Sequence, residues 1–150
     1  MAGSADLRVA AAGVRVFTVE EASRVLDPIE AIFREMDPRL LRLRELRELL
    51  EDVEQYYGDS LARAPLEERE RHQAIWSEAQ ATTESVNRDV AQINAFGCTV
   101  KDSAMGLVDF YGLVDGELVF LCWRRGEPRV SHFHPLHTGF AGRKPLPTAP

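Results

Sequence analysis

The chain has 150 residues, 45% of them hydrophobic and 28% charged, with a mean hydropathy of -0.24 and a formal net charge of -6. That is the profile of an ordinary globular protein large enough to bury a sizeable core. It excludes collagen-like, low-complexity and disulfide-scaffold classes. Residues 1–97 carry 12 basic and 19 acidic side chains, residues 98–150 carry 6 and 5, and an acidic half of this kind repels phosphate backbones, so no nucleic acid is expected as a partner.

No apolar run approaches the roughly 20 residues that cross a bilayer, so no membrane association is expected. The start, Met1 to Arg8, holds an acid where a secretion signal carries positive charge, and Val9 to Ala12 is too short an apolar stretch for one. Two cysteines, Cys98 and Cys122, fit a reducing compartment, and the expected location is cytoplasmic.

Residues 1–13, rich in Ala and Gly without a sustained period, read as a flexible N-terminus. Val14-Arg15-Val16-Phe17 alternates as a short strand does. Thr18-Val19-Glu20-Glu21 then forms a capping box, with the Thr18 hydroxyl accepting from the Glu21 amide, so a helix is predicted from there. Its apolar positions, Ala22, Val25, Leu26, Ile29, Ile32, Phe33 and Met36, recur at three- and four-residue intervals. Pro28 predicts a kink with Asp27 capping the second segment. Asp37-Pro38 repeats the cap-and-proline signal, opening a second helix or continuing the first through Leu40, Leu43, Leu46, Leu50, Val53 and Tyr57.

Gly58 offers a stop, and residues 59–65 read as the turn of a hairpin. A long helix is predicted over 66–96, with Ile75, Ala79, Thr82, Val86, Val90 and Ile93 as its seam and Gly97 closing it, so the two arms should pack antiparallel.

After Gly97 the period falls to two. Residues 98–101, 107–111, 117–123 and 129–134 read as short strands of an antiparallel sheet, with Asp115-Gly116 as a two-residue hairpin turn. The predicted class is α+β: a long antiparallel helical hairpin followed by a small antiparallel sheet of three to five strands. The predicted organisation is one domain over 14–146, mainly helical over 14–97 and mainly β over 98–146. Residues 147–150 read as a tail.

Several segments resemble a known family: Phe17-Thr18-Val19-Glu20-Glu21-Ala22, Gly97-Cys98, Lys101-Asp102, Gly106-Leu107-Val108-Asp109-Phe110, Leu121-Cys122-Trp123, Gly126-Glu127-Pro128 and Gly139-Phe140-Ala141-Gly142-Arg143. In this order they are similar to an uncharacterised prokaryotic family catalogued as domain of unknown function 2203. The resemblance spans about residues 14–146 and implies one family-wide domain. It implies no activity. It extends to His134 but not to His132 or His137.

Three of the four histidines lie in His132-Phe133-His134-Pro135-Leu136-His137, and His132 and His134, two apart on a strand, should share a face. If the Asp115-Gly116 turn pairs Val114 with Glu117, Asp109 stands opposite Cys122. If Trp123 pairs with Arg129, Cys122 stands opposite Val130. Asp109, Cys122, His132 and His134 then converge, and imidazole, thiolate and carboxylate are competent ligands for zinc or a related divalent transition metal. A register slip of one residue would separate them. The alternative is that Asp109 and the histidines bond backbone and loop groups while Cys122 is core.

Arg143, His137, Trp123 and Glu127 are further candidates for binding. Gly139 to Lys144 could cradle an anion, or its glycines could make tight turns with Phe140 as a plug and Arg143 paired to Glu127. Two functional classes follow. One is a non-catalytic binding or assembly module acting through its helical hairpin and C-terminal β-region, as a homodimer or with a protein partner engaged by the leucine-rich helices. The other is a metal-binding protein or metal-dependent hydrolase on the sheet.

Overall fold

A computed structural model describes residues 14–147. The expected flexible start, residues 1–13, and residues 148–150 of the expected tail lie outside the described residues. The elements in chain order are α1 (Val19–Arg24), α2 (Leu26–Tyr57), a 3₁₀ turn (Gly58–Arg63), α3 (Leu66–Asn94), β1 (Thr99–Asp102), β2 (Leu107–Val114), β3 (Glu117–Arg124), β4 (His132–Pro135), a 3₁₀ turn (Phe140–Gly142) and β5 (Lys144–Pro145). The fold class is α+β, with a five-stranded antiparallel sheet in the order β1-β2-β3-β4-β5. Among the described residues no helix is long and apolar enough to cross a membrane.

The chain forms two compact units. One holds the residues up to Phe33 and from Val90 onward, and the other holds Arg34–Asp89. In the second unit α2 and α3 run antiparallel, as the Arg42–Glu78 ion pair and the 3.8 Å approach of His72 Nε2 to Glu54 require. Its interior is thin: Leu43, Leu46 and Ala79 are buried, with Leu50 and Ile75 packed against them. Leu43, Leu46 and Leu50, part of the predicted apolar periodicity, are thus used inside the hairpin, while Leu41 and Trp76 stay exposed.

The first unit holds the sheet. Thr18 caps α1 with the full capping box. The helix breaks at Val25 rather than at Pro28, so α2 starts at Leu26 and Pro28 falls in its first turn, where its missing N–H costs nothing. Asp27 consequently lies inside that turn as an acid near the helix N-terminus. Pro38 sits within α2, and the apolar periodicity on either side carries one helix through Asp37-Pro38.

The strand expected at 14–17 is absent, but its last residue does a strand's work. β1 pairs only with residues 107–109 of β2, which leaves the next part of that edge open, and the Phe17 amide donates to the Tyr111 carbonyl at 2.7 Å. The Phe17 ring packs edge-on against Phe110, and Phe33 lies 6.4 Å from Trp123, so one sheet face is sealed by the helical segments of this unit. Val108, Phe110 and Leu121, alternate residues on that face, are buried.

The β2–β3 register is the predicted one, with Val114 opposite Glu117 and Asp109 opposite Cys122. Asp115 and Gly116 take φ of 53° and 80°, as the tight hairpin turn requires. The β3–β4 register differs from expectation: Cys122 faces His132, not Val130. Residues 125–131 form a longer connection because the Val130 amide is bound by the Ser23 hydroxyl and the Trp123 indole donates to the Glu127 carbonyl. The slip is two residues, which preserves which side chains share a face. β5, beyond the last predicted strand, adds an edge strand ending in Pro145.

Candidate metal centre

The sheet face opposite the helices carries the candidate residues. Asp109 lies on β2, Cys122 directly opposite on β3, and His134 on β4, and all three are buried, at 4%, 1% and 2% exposure. One ligand atom from each lies within 4.8 Å of the others. Tetrahedral coordination at about 2.0–2.3 Å places donors roughly 3.4 Å apart, so closure onto an ion needs shifts on the order of 1 Å.

The histidine is already aimed. Its Nδ1 lies 2.9 Å from the Pro135 carbonyl, an acceptor only, so Nδ1 carries a hydrogen. Its Nε2 lies 3.0 Å from Asp109 Oδ2. Two lone pairs at that separation would repel, so a second proton lies between Nε2 and Oδ2, and the pair is neutral whichever atom holds it. A backbone carbonyl orienting one ring nitrogen while the other faces outward is the usual support for a metal-bound imidazole.

Burial pushes the Asp109 carboxyl above its ordinary range, against the pull of His134 and Lys101. Burial, reinforced by Asp109, pushes the Cys122 thiol up to about 11, with Arg143 pulling the other way. Without an ion the site therefore holds a protonated thiol and a neutral acid–imidazole pair. A divalent ion would have to displace both protons.

The remaining candidates are distributed around this cluster. His132 lies on the same strand and face as His134, yet its Nδ1 is 3.0 Å from the Ser131 hydroxyl and 3.5 Å from Glu127 Oε2, so it belongs to a neighbouring group and not to the triad. Arg143 clasps Glu127 with two hydrogen bonds of 3.0 and 2.9 Å. Burial opposes the charge on Glu127, but Arg143 and the Arg124 amide hold its carboxyl below the usual range. Trp123 is 2% exposed and faces the helices, which makes it core and removes it from the candidate site. His137 is exposed and lines an open groove of about 530 Å³ by the β2–β3 turn.

The Gly139–Lys144 segment makes tight turns: the amides of Gly142 and Arg143 donate to Gly139 and Phe140 carbonyls, which leaves them unavailable to an anion. A Cβ at Gly142 would come within 2.8 Å of the Thr138 hydroxyl. Phe140 is partly covered, with the Arg143 guanidinium 4.5 Å from its ring centroid.

Above the triad is a pocket of about 170 Å³ lined by Lys101, Leu107, Phe120, Leu136, Thr138 and Phe140 beside the three donors. Lys101 and this roof were missed from sequence. The β1–β2 pairing that puts Thr99 opposite Asp109 would have placed Lys101 on the same face, since alternate residues share it.

A family profile described as "Uncharacterized conserved protein (DUF2203)" matches residues 15–146. No curated protein matches, and no solved structure does.

Proposed function

We propose, from the premise that the chain belongs to the DUF2203 family of uncharacterized conserved proteins, that its sheet face is a centre for zinc or a related divalent transition metal. Asp109, Cys122 and His134 are the ligands. The observation that carries this reading is the aim of His134: a backbone carbonyl fixes Nδ1, so that Nε2 faces a carboxylate and a thiol, all three buried. Three protein ligands beside a pocket leave a coordination position for water or a small molecule, the arrangement that catalytic rather than structural zinc sites adopt. In that position a bound water would be acidified and a carbonyl polarised, so hydrolytic chemistry is the reaction class that fits.

The test is elemental analysis by inductively coupled plasma mass spectrometry of the protein dialysed against zinc. Near-stoichiometric metal in the wild type, lost in Cys122→Ser and His134→Asn variants that keep the wild-type circular dichroism, is the expected result. A wild type that holds no more zinc than those variants would refute it.

A second reading, self-association through the hairpin, rests on Leu41 and Trp76, which stand 55% and 45% exposed in the unit whose own core is thin.

A further inference from the structure

The pocket beside the proposed centre has walls of a definite kind. Leu107, Phe120, Leu136 and Phe140 make them mostly apolar, and one cation, Lys101, stands at the rim with its ammonium 4.8 Å from the centroid of the Phe120 ring. Lys101 makes no salt bridge among the described residues, although its charge reaches Asp109. Two further cations lie by the Phe140 ring but outside the pocket lining: Arg143, offset by its two-pronged pair with Glu127, and Arg124, 5.8 Å from the ring centroid.

The charges decide the ligand. A divalent ion, the Asp109 carboxylate and the Cys122 thiolate cancel, and neutral His134 adds nothing, so Lys101 leaves the pocket with a single positive charge to be met. Lys101 is itself exposed at the rim, where an anion seated in the pocket gains a charge-assisted contact with its ammonium. We propose that the pocket binds a small monocarboxylate, one end of its carboxylate on the metal's open position and the other toward Lys101, with a short aliphatic body against Leu107, Phe120, Leu136 and Phe140. This assignment rests on the metal reading above. It differs from that reading in naming a second ligand and the residue that selects it.

Size and polarity both narrow the class. A cavity of about 150 Å³ accommodates benzene, so a pocket of about 170 Å³ suits roughly six heavy atoms, the size of butyrate. Inorganic phosphate, with polar oxygens on every side, would set its hydration shell against apolar walls.

Cobalt(II) substitution of the full-length protein separates the two readings. A thiolate-to-cobalt charge-transfer band reports metal on Cys122, and the visible d–d bands report what fills the open position. The expected result is a charge-transfer band, followed by saturable change of the d–d bands on titration with butyrate. Butyramide and inorganic phosphate should produce weaker change. Lys101→Met should keep the charge-transfer band and bind butyrate about tenfold more weakly, the loss expected for one charge-assisted contact. A charge-transfer band with d–d bands indifferent to butyrate would overturn the monocarboxylate assignment and leave the metal centre standing. So would equal binding by butyramide or phosphate, or an unchanged affinity in Lys101→Met. Absence of the charge-transfer band would overturn both.

Discussion

Replacing His134 with alanine tests the buried pair directly. The imidazole and the Asp109 carboxyl are almost fully covered, 3.0 Å apart, and removing one member of such a pair typically costs about 3–5 kcal/mol. The pH dependence follows from the proton count. In the variant, Asp109 has lost the group that favoured its charged form, so burial keeps its carboxyl raised above the unfolded value of 3.8. A raised carboxyl contributes stability that is complete below the unfolded value and is lost as pH rises, at about 1.36 kcal/mol per unit.

In the wild type His134 opposes that rise by favouring the charged carboxylate, so the gap between wild type and variant should widen as pH climbs above the unfolded carboxyl's value. Urea denaturation followed by fluorescence measures this in a Trp76→Phe background, where Trp123, buried beside Phe33, is the only indole. A variant within 1 kcal/mol of wild type at pH 7, or a gap of the same size at pH 5 and 6.5, would refute the shared-proton pair.

Two further outcomes are expected. Because metal binding displaces a proton from Cys122, whose thiol is pushed up to about 11, apparent zinc affinity should rise at least about tenfold per pH unit near neutrality; isothermal titration in buffers of different ionisation heat counts the protons, and release of none would contradict thiolate ligation. In the hairpin, Leu46→Asp should unfold the helices because Leu46 is fully buried, whereas Trp76→Glu should leave helicity unchanged and lower any concentration-dependent mass in sedimentation equilibrium.

Local chemistry made much of this legible. The capping box at Thr18 and Glu21 and the Asp115-Gly116 turn are short-range devices, and each acts where the residues predict. The turn sets the β2–β3 register by counting, which brings Asp109 opposite Cys122 before any coordinates are known. The β3–β4 connection is different in kind. Its length is set by the Ser23 hydroxyl on the Val130 amide, a contact across 107 residues that no window of sequence contains. The triad stayed predictable because the slip was even.

His132 stands apart from the triad for a related reason. Sharing a strand face with His134 fixes its side but not its partner, and Ser131 and Glu127 on the neighbouring turn claim its Nδ1. The break at Val25 shows the same limit on the helical side: Pro28 demands a break within one turn upstream, and the capped six-residue α1 decides where it falls.

One donor comes from each of three consecutive strands, and this orders events during synthesis. The β2–β3 hairpin emerges first and can hold Asp109 opposite Cys122 on its own, but His134 follows 12 residues after Cys122, roughly a second later at translation rates of about 5–20 residues per second. Until β4 docks there is no imidazole and no Pro135 carbonyl to aim it. A nascent chain would therefore present an acid and a thiol without the third donor, and the ion could be captured only once the sheet had been extended. Metal content would then distinguish chains with a completed sheet from those arrested one strand short.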